Sequence, residues 1–310
     1  MKVVIAGGTG FLGSPLAEAY AEEGHEVLVL TRSLMSGDSR HDPGTGVPGI
    51  TRVGWTADGK TGSWAAHLEA ADAIVNLSGD ALDRGRWTPQ RKARLRDGRI
   101  LATRSLAAAI LSAAKPPAVF VSGSGVDYYA SSNSVPSTES SPPGTGFLAH
   151  LCKDWEAEAG RAESPGTRVV LLRTGIALER SGGALPRMML PFRFFVGGKI
   201  GSGHQYFSWI HRLDWVELVR WIVLTPEAKG PINAVAPEPV TNRELSRALS
   251  HALHRPSLVP VPGVALRIAL GELAEPLLGG QRVIPARALA LGYHFRYPDI
   301  YQAFRGIFGE

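Results

Sequence analysis

Apolar residues along the chain fall into two rhythms, and their alternation sets the expected fold. Short runs rich in β-branched residues read as strands that are apolar on both faces: Val3-Val4-Ile5-Ala6, Glu26-Val27-Leu28-Val29-Leu30, Ala73-Ile74-Val75-Asn76-Leu77, Val119-Phe120-Val121-Ser122 and Val169-Val170-Leu171-Leu172-Arg173. Between them the spacing turns helical. Leu16, Ala17, Ala19, Tyr20 and Ala21 form one apolar face that stops at Gly24, and further helices are predicted over 88–113 and 146–160. Residues 34–63 are rich in Gly, Pro and Asp and predict a loop with a short strand at Ile50–Trp55. Strands alternating with helices predict an α/β fold, a doubly wound parallel sheet.

Past residue 176 the pattern loosens. Residues 179–208 are glycine-rich, Trp215–Leu224 reads as a helix, and Ile232-Asn233-Ala234-Val235 as a strand returning to the sheet. Thr241 followed three residues later by Glu244 is a capping box that opens another helix. Residues 256–310 mix Pro, Leu and aromatics. The expected division is a nucleotide-binding domain over 1–178 plus about 212–236, and a smaller C-terminal substrate domain over about 179–211 and 237–310.

Composition narrows the class. The 310 residues are 44% hydrophobic and 20% charged, enough for a sizeable core. A single Cys excludes a disulfide scaffold and fits a reducing compartment, so the expected location is cytoplasmic. The start of the chain lacks the long apolar stretch of a signal peptide, and no window carries a membrane span. Net charge is +5, with eight basic residues between Arg84 and Arg104 against Asp83 and Asp97. Without interleaved aromatics that run reads as a solvated helix face rather than a nucleic-acid patch.

Gly7-Gly8-Thr9-Gly10-Phe11-Leu12-Gly13 follows a strand and opens a helix, the context a dinucleotide-binding loop requires. Gly7 and Gly8 permit the tight turn, Gly10 lets a pyrophosphate approach the backbone, and Gly13 lets the helix pack on the strand. Free N–H groups at the helix start then face the phosphates. At the end of the second strand, where an NAD site usually places an acid, stand Thr31 and Arg32. A guanidinium without a carboxylate there points to NADP(H), with its 2′-phosphate.

These features resemble the extended short-chain dehydrogenase/reductases, and more closely an atypical "epimerase family" subgroup with a C-terminal domain of unknown function. The stretches that carry the resemblance include Val-Asn-Leu-Ser-Gly at 75–79, Leu-Arg-Thr-Gly at 172–175, Gly-Ser-Gly-His-Gln at 201–205, Phe-Ser-Trp-Ile-His at 207–211 and Gly-Gln-Arg-Val-Ile-Pro at 280–285. The resemblance implies a Rossmann-type domain with a C-terminal substrate domain. It implies that Thr9, Phe11 and Leu12 join the glycines on the cofactor. Leu77, Ser78 and Gly79 would line the adenine and ribose, Arg99 would point back from its helix toward the cofactor, and Gly175, Ile176 and Ala177 would flank the nicotinamide.

The resemblance also exposes a gap. Such reductases pair a Tyr proton donor with a Lys four residues on, so that both share a helix face, and add a Ser that orients substrate. Ser122 and Ser124 can fill the Ser role, and Lys153 falls in a fitting place, but four residues before it stands Ala149. Tyr129, Ser124 or water are then the candidate donors. His204 and Gln205, in the loop that faces substrate in relatives, are candidate contacts; His211 and Asp214 carry over as structural. No metal set is apparent. The expected activity is NADP(H)-dependent oxidoreductase or epimerase-like chemistry on a small molecule, by a monomer or homodimer, with no nucleic-acid or membrane partner. The other reading is a non-catalytic NADPH-binding sensor or scaffold.

Overall fold

The computed structural model describes residues 1–32, 48–82 and 85–309. In chain order the strands are β1 (Lys2–Ala6), β2 (Glu26–Thr31), β3 (Ile50–Gly54), β4 (Ala73–Asn76), β5 (Val119–Gly125), β6 (Ser132–Ser137), β7 (Arg168–Thr174), β8 (Ile176–Glu179), β9 (Gly182–Gly183), β10 (Tyr206–Phe207), β11 (Trp209–His211), β12 (Gly230–Ala234), β13 (Val240–Thr241) and β14 (Gln281–Val283). The helices are α1 (Gly13–Glu22), α2 (Pro89–Ser112), α3 (Phe147–Gly160), α4 (Leu185–Arg193), α5 (Arg212–Leu224), α6 (Asn242–Leu253), α7 (Gly263–Leu270), α8 (Ala274–Gly279), α9 (Ala286–Ala290) and α10 (Ile300–Phe308).

Seven strands form one parallel sheet in the order β12-β7-β5-β4-β1-β2-β3. Strand periodicity decides which side chains go where. Val3 and Ile5 of β1 face α1 and α5, meeting Leu16, Tyr20, Trp215 and Ile222. Val4 and Ala6 point the other way, into a second core with Ala102, Leu106 and Ile110 of α2. Covering both faces explains why these strands are continuously apolar in sequence. Each fully buried Leu, Val or Ile contributes about 1.5–3 kcal/mol. The Rossmann-type doubly wound sheet is therefore present, and β3 is its edge. The rest of the loop expected over 34–63 lies partly outside the described residues.

The second half of the chain shares a third core, in which Met189 and Phe192 of α4, Trp209, Leu245 and Leu249 of α6, and Phe304 of α10 pack together. The Thr241 half of the expected capping box is present: Thr241 Oγ1 accepts from the Glu244 N–H at 3.3 Å. Besides the short strands β8–β11 and β13, two strands rich in polar residues escaped the sequence reading. β6 is Ser-Asn-Ser-Val-Pro-Ser, and it pairs with the equally polar β14 through residues 149 positions apart in chain (Ser132 with Gln281). Helix α7 is apolar yet has no buried residue. With α8 it stands over the start of α2, where Arg86 Nη2 donates to the Ile268 carbonyl at 2.6 Å and Lys92 pairs with Glu272.

Candidate active site

The glycine loop is built as its spacing predicts. Gly7 has φ +83°, and a Cβ on it would lie 2.8 Å from the Leu77 carbonyl oxygen. A Cβ on Gly13 would lie 2.2 Å from the Gly7 oxygen, so only glycine lets α1 start this close to β1. A Cβ on Gly10 would meet only the Gly7 oxygen within 4 Å, which leaves its outer side open for a ligand. The first turn of α1 has neither a side-chain cap nor an acidic residue; Ser14 N–H donates to the Gly10 carbonyl at 2.9 Å and Pro15 has no N–H, so what the helix start offers an anion is chiefly its positive end. Thr9 is exposed in the loop, and Leu12 is the residue from which α1 springs. Phe11 reaches across to β9, where a Cβ on Gly183 would sit 2.7 Å from its ring. The loop is thereby tied to the substrate side.

At the far end of the groove the structure adds charge that the chain order concealed. Thr31 is buried, while the Arg32 side chain is 70% exposed and lies 3.6 Å from Asp80, in the loop after β4. The absence of a carboxylate at the end of β2 thus holds in sequence but not in space. Asp80 also takes Arg91 at 3.1 Å and Arg94 at 3.9 Å, both from the first turns of α2. Three guanidiniums share one carboxylate, and the excess of positive charge suits a phosphate monoester.

The loop after β4 is pinned by its own backbone. Leu77 N–H donates to Ala6 O at 2.8 Å and Ser78 N–H to the Asn76 side chain at 3.1 Å. Arg99 is buried, donating from Nη1 to Leu95 O at 3.0 Å and from Nη2 to Asp80 O at 2.9 Å, with the Trp155 ring 5.4 Å away. Burial lowers its pKa from the usual guanidinium value. It touches Gly79, where a Cβ would come within 3.0 Å of its guanidinium carbon. Arg99 is a brace for this loop and not part of a solvent-facing basic strip. The rest of that strip is largely neutralised: Arg96 pairs with Asp154 at 3.0 Å and Arg104 with Glu158 at 2.7 Å. Gly175 packs under Ser208, where a Cβ would lie 2.5 Å from its carbonyl oxygen, and Ile176 and Ala177 begin β8 beside β11.

The candidate chemical groups sort into two sets. The first is a buried chain of hydrogen bonds. Ser124 Oγ donates to Glu156 Oε1 at 2.7 Å, Glu156 takes Arg173 in a two-pronged pair at 2.8 Å on both prongs, and Arg173 Nη1 donates to the Tyr129 hydroxyl at 2.8 Å. The Tyr129 hydroxyl in turn donates to Asn233 Oδ1 at 2.7 Å. Burial pushes the Tyr129 hydroxyl up to about 12 against the pull of Arg173. Ser124 and Tyr129 are therefore committed to a network joining β5, α3, β7 and β12. Ser122 is fully buried inside β5, with Asn76 Nδ2 at 3.5 Å. Lys153 is exposed on the outer side of α3, and the inward residue of that turn is Cys152. Burial pushes that thiol up to about 12, with neighbouring Asp127 adding to the rise.

The second set lines a cavity of about 570 Å³ at the carboxyl end of β5 and the start of α3. Ala149, the position where the reductase spacing would place Tyr, is on its wall, with Asp127, Gln281, Trp87 and Phe147. Asp127 keeps some exposed surface because it faces this space, yet desolvation pushes its carboxyl up to about 6, against hydrogen bonding from Gln281. Sequence reading missed Asp127: it stands three residues past Ser124 with nothing local to mark it, although Gln281 lies in a stretch that carries the family resemblance. Neither His204 nor Gln205 reaches the cavity wall. His204 is exposed beside Arg243 at 3.3 Å, and Gln205 spends its amide on the Ile200 and Leu277 carbonyls at 3.0 and 3.3 Å. His211 and Asp214 are structural, as the resemblance implies. His211 Nδ1 accepts from Leu213 N–H and its ring stacks on Tyr297 at 4.0 Å, while Asp214 accepts from the Arg296 and Tyr297 N–H groups.

An uncapped glycine loop at the carboxyl edge of a parallel sheet defines a dinucleotide-binding protein. Comparison with known proteins makes the class definite. The model of the NAD dependent epimerase/dehydratase family matches residues 3–235, and the chain belongs to that family. A domain of unknown function (DUF1731) matches residues 261–307. Among particular relatives, the Bos taurus epimerase family protein SDR39U1 is 38% identical over 312 residues, covering 99% of both chains. The chloroplastic SDR39U1 homolog of Arabidopsis thaliana is 38% identical, covering 99% of this chain and 86% of that one. The crystal structure of human SDR39U1 (isoform 2) with NADPH superposes with a TM-score of 0.89 at 36% identity over the whole of both chains. A nucleoside-diphosphate sugar epimerase from Corynebacterium glutamicum gives 0.78 at 31% identity, covering all of this chain and 58% of that one. No described helix is long and apolar enough to cross a membrane.

Proposed function

We propose that this chain is an NADP(H)-dependent oxidoreductase or epimerase-like enzyme that acts on a small molecule held in the cavity at the end of β5. The observation that carries the cofactor choice is the group of Arg32, Arg91 and Arg94 around the single carboxylate of Asp80. It matches the extra phosphate that distinguishes NADPH from NADH, and the human relative was crystallised with NADPH. Bound in the groove, the nicotinamide supplies hydride transfer.

The chain's own part is to orient the substrate and to handle a proton. Ser124 and Tyr129 are held in the buried network, whereas Asp127 faces the cavity and sits near the range where a carboxyl exchanges protons at neutral pH. Asp127 is thus the best-placed acid/base, in a wall where the usual tyrosine is replaced by Ala149. Titration with NADPH and NADH, followed by nicotinamide fluorescence, tests the cofactor assignment. Tight NADPH with weak NADH supports it, and equal affinities defeat it.

A further inference from the structure

The cavity wall has a charge signature of its own. Asp127, which is partly buried, lines it together with the more exposed Glu272 and Glu275 of the α7–α8 segment. Among the described residues no Lys, Arg or His lines it. Lys92 is engaged by Glu272 and rests 5.2 Å over the Phe147 ring, and Arg267 is engaged by Glu275 at 2.8 Å. The groups facing Asp127 are Gln281 of β14, Cys152 of α3 and Arg99 of α2, and both guanidinium ends of Arg99 already donate to backbone carbonyls. Trp87 and Phe147, packed edge to face at 5.5 Å, give the wall an apolar side together with Leu148 and Ala149, while Tyr129, Ser131 and Thr145 add neutral polar groups.

The one positive feature is the N-terminus of α3, which opens at Gly146 without a side-chain cap. It is worth about half a unit charge. That suits the dipole of a carbonyl group. Unlike the glycine loop at α1, this helix start shares its cavity with the carboxyl groups of Asp127, Glu272 and Glu275, and against them about half a unit charge does not offset the desolvation of a diphosphate. Resting on the reading that the chain is an NADP(H)-dependent enzyme, we propose that this cavity takes an uncharged or cationic small molecule with a flat apolar body, and rejects the diphosphate of a nucleoside-diphosphate sugar. The specificity would then differ from what the name of the Corynebacterium relative says of that protein.

The test uses the full chain saturated with NADPH and four probes measured by calorimetry: benzyltrimethylammonium, benzyl alcohol, benzylphosphonate and UDP-glucose. The ammonium probe should bind at least about tenfold more tightly than the phosphonate. That preference should shrink toward parity in Asp127→Asn and in Glu272→Gln, the second a change at an exposed residue that spares the core. Ala149→Val should weaken the ammonium probe while NADPH affinity holds, which places the probe in this cavity and shows that the variant is folded. UDP-glucose should give no saturable binding. The proposal is overturned if the phosphonate binds as tightly as the ammonium, if UDP-glucose binds and Ala149→Val abolishes it, or if none of the benzyl probes binds. NADPH titration of the same samples separates the two readings: loss of NADPH binding refutes the cofactor assignment, whereas NADPH binding with an anion preference refutes only the substrate class.

Discussion

The glycine loop and the cavity both follow carboxyl ends of strands of the sheet, β1 and β5, but they are built in opposite ways. The loop is one continuous stretch whose backbone does the binding, so its requirements are written as glycines at fixed spacing. The cavity wall is assembled from segments near residues 87, 127–131, 144–149 and 272–281, and its character comes from which side chains the fold brings face to face. A backbone site tolerates almost no change at its glycines. A side-chain site can keep its fold with different residues on its wall, and here Ala149 stands where the reductase spacing predicts a tyrosine.

That contrast is sharpest at the loop. Gly13→Val should abolish NADPH binding and lower expression of folded protein, since even a Cβ would overlap the Gly7 carbonyl; near-normal binding by fluorescence titration would break the comparison. Next comes the buried network behind the cavity. Glu156→Leu strands Arg173 without its partner and should cost about 3–5 kcal/mol in denaturant unfolding. A loss below 1 kcal/mol would mean that the network is dispensable.

Asp127 gives a pH signature. Its folded pKa lies above its unfolded value, so the native state holds the proton more tightly and stability falls as pH rises from about 4 through about 6. His211, pushed down to about 4 by burial, acts with the opposite sign, losing stability as pH falls below the ordinary histidine range. The measurement is therefore the difference between parent and Asp127→Asn unfolding free energies across pH 4–7. A difference independent of pH would remove Asp127 from its buried setting.

On the cofactor side, Arg91→Ala should weaken NADPH about 10- to 100-fold and leave NADH nearly unchanged, the loss of one charge-assisted contact. An equal loss for both cofactors would turn the arginine group into a structural feature. The smallest effect is expected at Arg96→Ala. This exposed residue pairs with Asp154, and its removal should change stability by less than about 1 kcal/mol.

The sheet was legible because its signals are local. Val3–Ala6 and its counterparts are mostly apolar since helices cover both faces, and the glycine loop and the Thr241 cap announce themselves within a few residues, whereas the structural part of His211 and Asp214 came from the family resemblance. The polar strands β6 and β14 gave no such signal, because each is specified only by the other, far away in the chain. The same holds for the chemistry. Spacing alone placed Lys153 at the site, yet helix phase turns it outward and Cys152 inward. The basic run over 84–104 read as one solvated face, but its members part company in space: Arg91 and Arg94 gather on Asp80, Arg96 and Arg104 find acids on α3, and Arg99 goes inside. By itself, then, the sequence determined what depends on neighbours a few residues apart: strand, helix, cap and phosphate loop. Only the tertiary structure decided which charges meet, which hydroxyls are spent in a buried network, and that Asp127 faces the cavity, because pairing and desolvation depend on residues that the chain keeps apart.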